Sequence, residues 1–278
     1  MTDRGWFQGL DGRDLDSAIG AVREGGAEDP RAWPALAVET GFAESQDDYY
    51  SFLHDVTQAA AKAAVRRREQ ATDQQLIHAI RAMDDLTETA NELAERAAEW
   101  AGSQFGESDE GLEYVLEVAE REPETPLEAE IVDFAGTVRD IQSRRDRLQT
   151  FIQEHAPVVA PNLTMLANPL LAARLIALAG GLDSLAKKPS GTIQVLGAED
   201  ALFAHLEGHA PSPKHGIIFT HEYVRGTRPE QRGSAARALA GKLTIAARID
   251  HYRGEGHSPL QAELDDRMEA IRAGGEDQ

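Results

Sequence analysis

Between Gln231 and Ile249 the chain carries Arg232, Arg237, Lys242 and Arg248 and no acid, within a protein of formal net charge -20. Lys214, His215, Arg225 and Arg228 stand in the same third of the sequence. Guanidinium and ammonium groups at this density suit phosphate oxygens, and an arginine can bridge two of them with one planar fork. At about 100° per residue, Arg237 and Arg248 fall within about 20° of each other on a helix, whereas Lys242 points elsewhere. At least one of these cations is therefore expected to meet an acid of its own fold. Bond-breaking chemistry finds less support. His205 and His209 have the four-residue spacing of a two-histidine metal site, but no HExxH string accompanies them, Gly208 lies between them and the chain has no cysteine. "GLDSLAKKPSG" lacks phosphate-loop spacing. Carboxylates abound without any being set apart in apolar surroundings, so no catalytic pair, metal site or cofactor is expected.

The acid excess is regional. Residues 161–257 hold 11 basic and 8 acidic side chains, a balance of +3, whereas the remainder holds 17 and 40, a balance of -23. Among the 28 cations only five are lysine. Acid-rich, lysine-poor composition resembles that of proteins from halophilic archaea, where a Debye length of about 3 Å at 1 M salt keeps an acidic coat from repelling a polyanion at distance. The absence of cysteine fits a reducing cytoplasm. The opening "MTDRGWFQGLDGRD" has no apolar run, so no signal peptide is expected. The most apolar stretch, Leu163 to Leu182, is interrupted by Asn168, Pro169 and Arg174 and reads as a buried helix and not as a membrane span.

The elements that must hold these residues divide into four segments. Residues 1–65 read as a small α/β module: "GWFQGL" as a strand, "DLDSAIGAVREG" as a helix ending at Gly25 and Gly26, and a longer helix capped by Ser45. Residues 66–156 read as an antiparallel coiled coil. Leu76, Ala79, Met83, Leu86, Ala90, Leu93, Ala97 and Trp100 alternate steps of three and four, and Leu127, Ile131, Phe134, Val138, Ile141, Arg145, Leu148 and Ile152 repeat the pattern beyond an interruption. Leu86, Leu93, Phe134, Ile141 and Arg145 are the candidate self-association residues of this rod. Residues 157–257 read as an all-α domain that opens where Pro157 and Pro161 break the rod. Within it Gly180 and Gly181 signal a helix end, an extended piece follows, a helix starts at Ala198 and a basic helix closes the domain. Residues 258–278 read as an acidic tail with a short helix. The fold class is mainly α.

The string from "APNLTMLANPLLAARLIALAGGLDSLAKKPSGTIQVLGAEDALF" through "PKHGIIF" to "QRGSAARALAGKLTIAARID" resembles the Nop domain of the archaeal box C/D ribonucleoprotein scaffold and its nucleolar and spliceosomal relatives. "DQQLIHAIRAMDDLTETANELAERAAEW" resembles the first coiled-coil helix of that family, and "ETGFAESQDDYY" the end of its N-terminal domain. The resemblance implies a non-catalytic scaffold. It would bind a kink-turn guide RNA together with a small kink-turn-binding protein, pair with a second copy through the coiled coil, and dock a fibrillarin-type methyltransferase that performs ribose 2'-O-methylation. Glu199, Leu202 and Phe203 then become candidates for contact with the small protein, or with an unstacked base. The sequence departs from the family where Ala204 and Ser234 replace common cations, which removes two phosphate donors. An adaptor that has kept the fold and lost RNA binding is the alternative.

Overall fold

The computed structural model describes residues 5–10, 13–24, 31–106, 111–253 and 259–274, which fall into two compact units, residues 1–71 and 72–278. In the first unit, α1 (Leu15–Glu24), α2 (Trp33–Glu39) and α3 (Gln46–Glu69) enclose an aromatic core of Trp6, Phe7, Phe42, Tyr49 and Phe52. Trp6 Nε1 donates to Tyr49 Oη at 3.0 Å. Ser45 caps α3, its hydroxyl accepting from the Asp48 amide at 3.1 Å. Arg13 forks onto the Asp48 carboxylate at 2.8 and 2.5 Å and lies over the Phe52 ring. That hydrogen bond holds the Asp48 carboxyl below the usual carboxylate range.

The expected strand at "GWFQGL" is a turn, and among the described residues there is no strand, so the α/β reading of this module is corrected to helix and turn. A strand would send Trp6 and Phe7 to opposite faces. Both rings instead enter one core, and the Gln8 amide closes the turn on the Gly5 carbonyl at 2.9 Å. The expected end of α1 at Gly25 and Gly26 lies outside the described residues.

The second unit begins with a long hairpin. Helices α4 (Thr72–Phe105) and α6 (Pro126–Val159) have 34 residues each, about 51 Å of rise. They run antiparallel: Leu76, Ile80 and Met83 share a core with Ile152 and Ala156, whereas Ala94, Ala97 and Ala101 share one with Ile131, Ala135 and Val138. Helix α5 (Leu112–Val118) closes the tip through Tyr114, Val115 and Val118. At the start of α6, Thr125 Oγ1 accepts from the Glu128 amide, and the Glu128 carboxylate accepts from the Glu124 amide one residue before the cap. The buried stripe departs from the heptad in register. Leu93 and Phe134 are half-buried and Trp100 is exposed, while their C-terminal neighbours Ala94, Ala135 and Ala101 are buried. Ala90, Ala97, Ile131 and Val138 of the same pattern are buried, so only the alternate positions give way to their neighbours. Leu127 is likewise exposed, and no α6 residue from Arg139 to Phe151 is buried, which leaves an open waist around Leu86, Ile141 and Arg145.

Helix α6 runs through Pro157 and stops at Val159, so Pro161 alone makes the break. There follow α7 (Pro161–Ala167), α8 (Pro169–Ala179), α9 (Leu182–Lys187), α10 (Ser190–Val195), α11 (Glu199–Leu206), a 3-10 turn at Ile217–Thr220, α12 (Glu222–Arg225), α13 (Arg232–Tyr252) and α14 (Pro259–Ala273). Two expectations change. The long apolar helix is bent by 117° at Asn168–Pro169, and the expected extended piece is α10. Among the described residues no single helix is long and apolar enough to cross a membrane. Gly180, in the left-handed conformation at φ 85°, ends α8, and the Gly181 amide bonds back to the Ile176 carbonyl.

Helix α13 is the axis of this domain. Ala235, Ala236, Leu239, Ala240, Leu243, Ala246 and Ala247 are fully buried, and the small side chains let α7, α9, α10 and α12 approach closely. Its last turns hold the ends of two short helices. Asp250 accepts from the Asn162 and Leu163 amides and from Asn162 Nδ2, at 3.0, 2.8 and 2.6 Å, at the start of α7. Arg248 Nε donates to the Ala186 carbonyl at the end of α9, at 3.1 Å. Each charge complements the helix end that it meets. The start of α9 is held from the hairpin, where Asp73 accepts from the Leu182 amide at 3.0 Å.

Helix α14 belongs to the same core through Leu260, Leu264 and Met268. Lys242 pairs with Glu263, and Tyr223 donates to Asp265 while accepting from Gln261. Burial first, then the bond to the Asp265 carboxylate, pushes the Tyr223 hydroxyl up to about 12. Buried His221 bridges α7 and α12, its Nε2 lying 2.9 Å from the Leu166 carbonyl while Nδ1 accepts from the Tyr223 amide.

Two outcomes are expected. Asp250→Ala leaves two buried amides without acceptors and should lower unfolding free energy by about 3 kcal/mol or more, with Asp250→Asn losing less, as read by denaturant titration. Burial lowers the His221 pKa below its ordinary value, so its neutral form stabilises the fold above about pH 6.5 and that stability is lost as pH falls toward the folded-state value. The thermal midpoint of the native chain should therefore drop between pH 7.5 and 5.5 by more than that of His221→Gln; equal drops would exclude His221 as the cause.

Candidate nucleic-acid interface

The loop bearing Lys214 and His215 is fixed by a close backbone crossing. The Gly216 amide donates to the Gln194 carbonyl and the Ile217 amide to the Leu196 carbonyl, both at 2.8 Å, and Gln194 Nε2 donates to the Lys214 carbonyl. A Cβ at Gly216 would lie 2.1 Å from the Leu196 oxygen, so only glycine permits the crossing. Lys214 is thereby laid along the first turn of α13, its side chain passing over Gly233.

Beside it, three groups form a stack. The His215 ring lies on Phe219 with centroids 4.6 Å apart and planes 19° apart, and the Arg232 guanidinium sits 5.3 Å from the Phe219 centroid. Arg232 is held by the Thr227 carbonyl at 3.1 Å. Burial, then the charges of Arg232 and Lys214, lower the His215 pKa, which favours the neutral ring. Helix α13 begins here without a side-chain cap and without an acid in its first turn. Its free amides, Lys214 and Arg232 thus offer phosphate donors beside a flat ring system. Arg237 follows one turn on, exposed and without a hydrogen bond or ion pair among the described residues.

The other sequence candidates separate from this group. Lys242 is turned to α14 and paired with Glu263, for the reason the helical wheel gives: it lies well round the helix from Arg237. Arg248 does share the exposed side of α13 with Arg237, yet its guanidinium serves as the cap of α9. Arg225 lines a groove of about 510 Å³ with Met165, Asn168, His221 and Tyr223. Arg228 lies with Glu269 and Arg272 in another groove near the end of α14.

Helix α11 supplies a second kind of surface. Glu199 accepts from the Gly197 amide at 3.0 Å and so fixes the start of the helix, while Leu202 is half-buried. Phe203 is 60% exposed and Leu206 71% exposed, and no α11 residue is buried. Two residues of these surfaces escaped the sequence reading. Leu206, three residues beyond Phe203, extends its apolar face, and Phe219, four beyond His215, is the centre of the stack. Leu86, Ile141 and Arg145 at the hairpin waist, and Leu93 and Phe134 beside the cluster toward the tip, are all half-buried. Arg145 pairs with Asp146 at 2.7 Å and keeps a buried Nε without a partner among the described residues.

Comparison with known proteins agrees with this architecture. Residues 115–270 match the Nop family model, described as a snoRNA binding domain, fibrillarin. An uncharacterised NOP5 family protein of Methanocaldococcus jannaschii is 34% identical over 84% of this chain and 66% of its own length. Nucleolar protein 58 of Rattus norvegicus is 30% identical over 71% of this chain and 44% of its own. The chain thus spans from under half to about two thirds of the length of these relatives. The crystal structure of a fibrillarin/Nop5p complex is similar with a TM-score of 0.54 and 27% identity, over 96% of this chain and 98% of that one. With more than half of its residues in the Nop match, the chain belongs to the Nop family.

Proposed function

We propose that this chain is a non-catalytic scaffold of a box C/D guide ribonucleoprotein. It binds kink-turn RNA jointly with a small kink-turn-binding protein and holds a fibrillarin-type methyltransferase in place for ribose 2'-O-methylation. The observation that carries this reading is the uncapped start of α13 in a Nop-family chain, where Lys214 and Arg232 flank the His215–Phe219 stack and Arg237 stands exposed farther along the helix. Phosphates meet the helix amides and the cations, and a splayed base finds a flat surface. Phe203 and Leu206 offer the protein-facing contact. Two copies pair at the hairpin waist, where Leu86, Ile141 and the buried Arg145 Nε await a partner. The acid-rich composition points to a salt-rich cytoplasm. In such a medium counterion release contributes little, so shape, hydrogen bonds and apolar contact supply most of the affinity.

The adaptor reading keeps one specific support: Lys242 and Arg248 serve the fold, and Ala204 and Ser234 carry no charge. Reversal of charge separates the two. In a gel-shift assay in potassium salt, with kink-turn RNA and its small binding protein, R232E/R237E should weaken the ternary complex by about 100-fold or more, since two charge-assisted contacts become repulsive. An unchanged shift favours the adaptor. Phe203→Ala with Leu206→Ala should remove the dependence of binding on the small protein. Lys242→Gln should leave RNA affinity as it is and lower the thermal midpoint by a few degrees, a change of about 1 kcal/mol or less.

A further inference from the structure

We propose that Lys62, Arg66 and Arg67, on the C-terminal part of α3, form a second surface that binds the RNA backbone. The inference rests on the scaffold reading above and adds a contact outside the segment matched by the Nop model. Residues 62–68 hold four of the eight cations of residues 1–71 and none of their thirteen acids. So local a reversal of charge has the same form as the one around α13.

Geometry supports a binding surface over a merely solvated one. Lys62 and Arg66 lie one helical turn apart, and together with Arg67 they line a groove of about 480 Å³ between α1 and α3. Ala59, Ala63 and Ile19 also line it, and Asp16 is the one acid among its lining residues. Among the described residues, Lys62, Arg66 and Arg67 have neither a hydrogen bond from the side chain nor an ion pair, whereas Arg13 is committed to Asp48 and both Arg31 and Arg68 have partners. The dipole of α3 accounts for part of this, because cations in a last turn meet unpaired carbonyls. That effect fades within one turn, and Lys62 stands about two turns before the end.

The lining also selects the partner class. A protein interface of useful affinity is centred on aromatic or large apolar anchors in desolvated pockets. This groove has alanines and one isoleucine. Phosphate recognition needs no anchor, only donors spaced along a track, and small side chains let a polynucleotide strand come close.

The test uses the full chain and the variant K62Q/R66Q/R67Q with a labelled oligo-uridylate of about 20 nucleotides, longer than the site of one single-strand-binding module. The native chain should bind at low salt, with the variant weakened about tenfold and its slope of log affinity against log salt reduced by about 2, as three released charges on a single strand require. Equal affinity and slope, or no binding by the native chain, would overturn the proposal. So would unchanged RNA binding with lost capture of the methyltransferase, which would make the groove a protein-docking surface. The scaffold reading is judged apart from this, by assembly on a minimal kink-turn RNA with the small protein. The variant should support that assembly as the native chain does, with the same thermal midpoint.

Discussion

Opposite charges two residues apart on α13, Arg248 and Asp250, hold the end of one short helix and the start of another. Helices of six or seven residues have no stability of their own in water, so α7 and α9 exist because their apolar faces and their ends are both satisfied. The alanine-rich flank of α13 provides the first condition and its charged last turns the second. The same helix carries Arg232 and Arg237 at its other end. A single rod of 21 residues, about 31 Å long, therefore lines the domain core along its length, with the charges that hold α7 and α9 at one end and the cationic surface at the other.

This explains why a basic helix in an acidic protein is not uniformly available. Of its four cations, one caps α9, one fastens α14 and one is held in a ring stack, each through a partner distant in sequence. Arg237 alone among them meets neither an acid nor a carbonyl. A positive segment in a sequence thus measures how many charges a fold can place there, and the structure decides how many face outward.

Much of the architecture was legible because it depends on local chemistry. The three-and-four spacing of α4 and α6, the Ser45 cap and the Gly180 stop are written in neighbouring residues. What escaped depended on tertiary choices. "GWFQGL" has the apolar content of a strand, yet Trp6 and Phe7 turn into one core against α3. The heptad reading was off by one residue at Leu93, Trp100 and Phe134, where the small neighbours Ala94, Ala101 and Ala135 take the buried position and the large side chains stay at its edge. Phe203 reads equally well as core or surface, and only its exposure in the folded chain decides it. The site was legible as a group of cations. The Phe219 stack and the internal duties of Lys242 and Arg248 were not, since each joins residues whose proximity the chain establishes only on folding.

Helix α11 buries none of its own side chains, and its side-chain hydrogen bonds, Glu199 with the Gly197 amide and His205 with the Ala210 carbonyl, reach only the adjoining loops. Such an element opens more readily than the core it sits on. Any molecule that covers Phe203 and Leu206 consequently draws part of its binding free energy from, or surrenders part of it to, the ordering of eight residues. Recognition at this face is then inseparable from local folding, and the strength of the complex becomes a property of helix propensity as much as of the surfaces that touch.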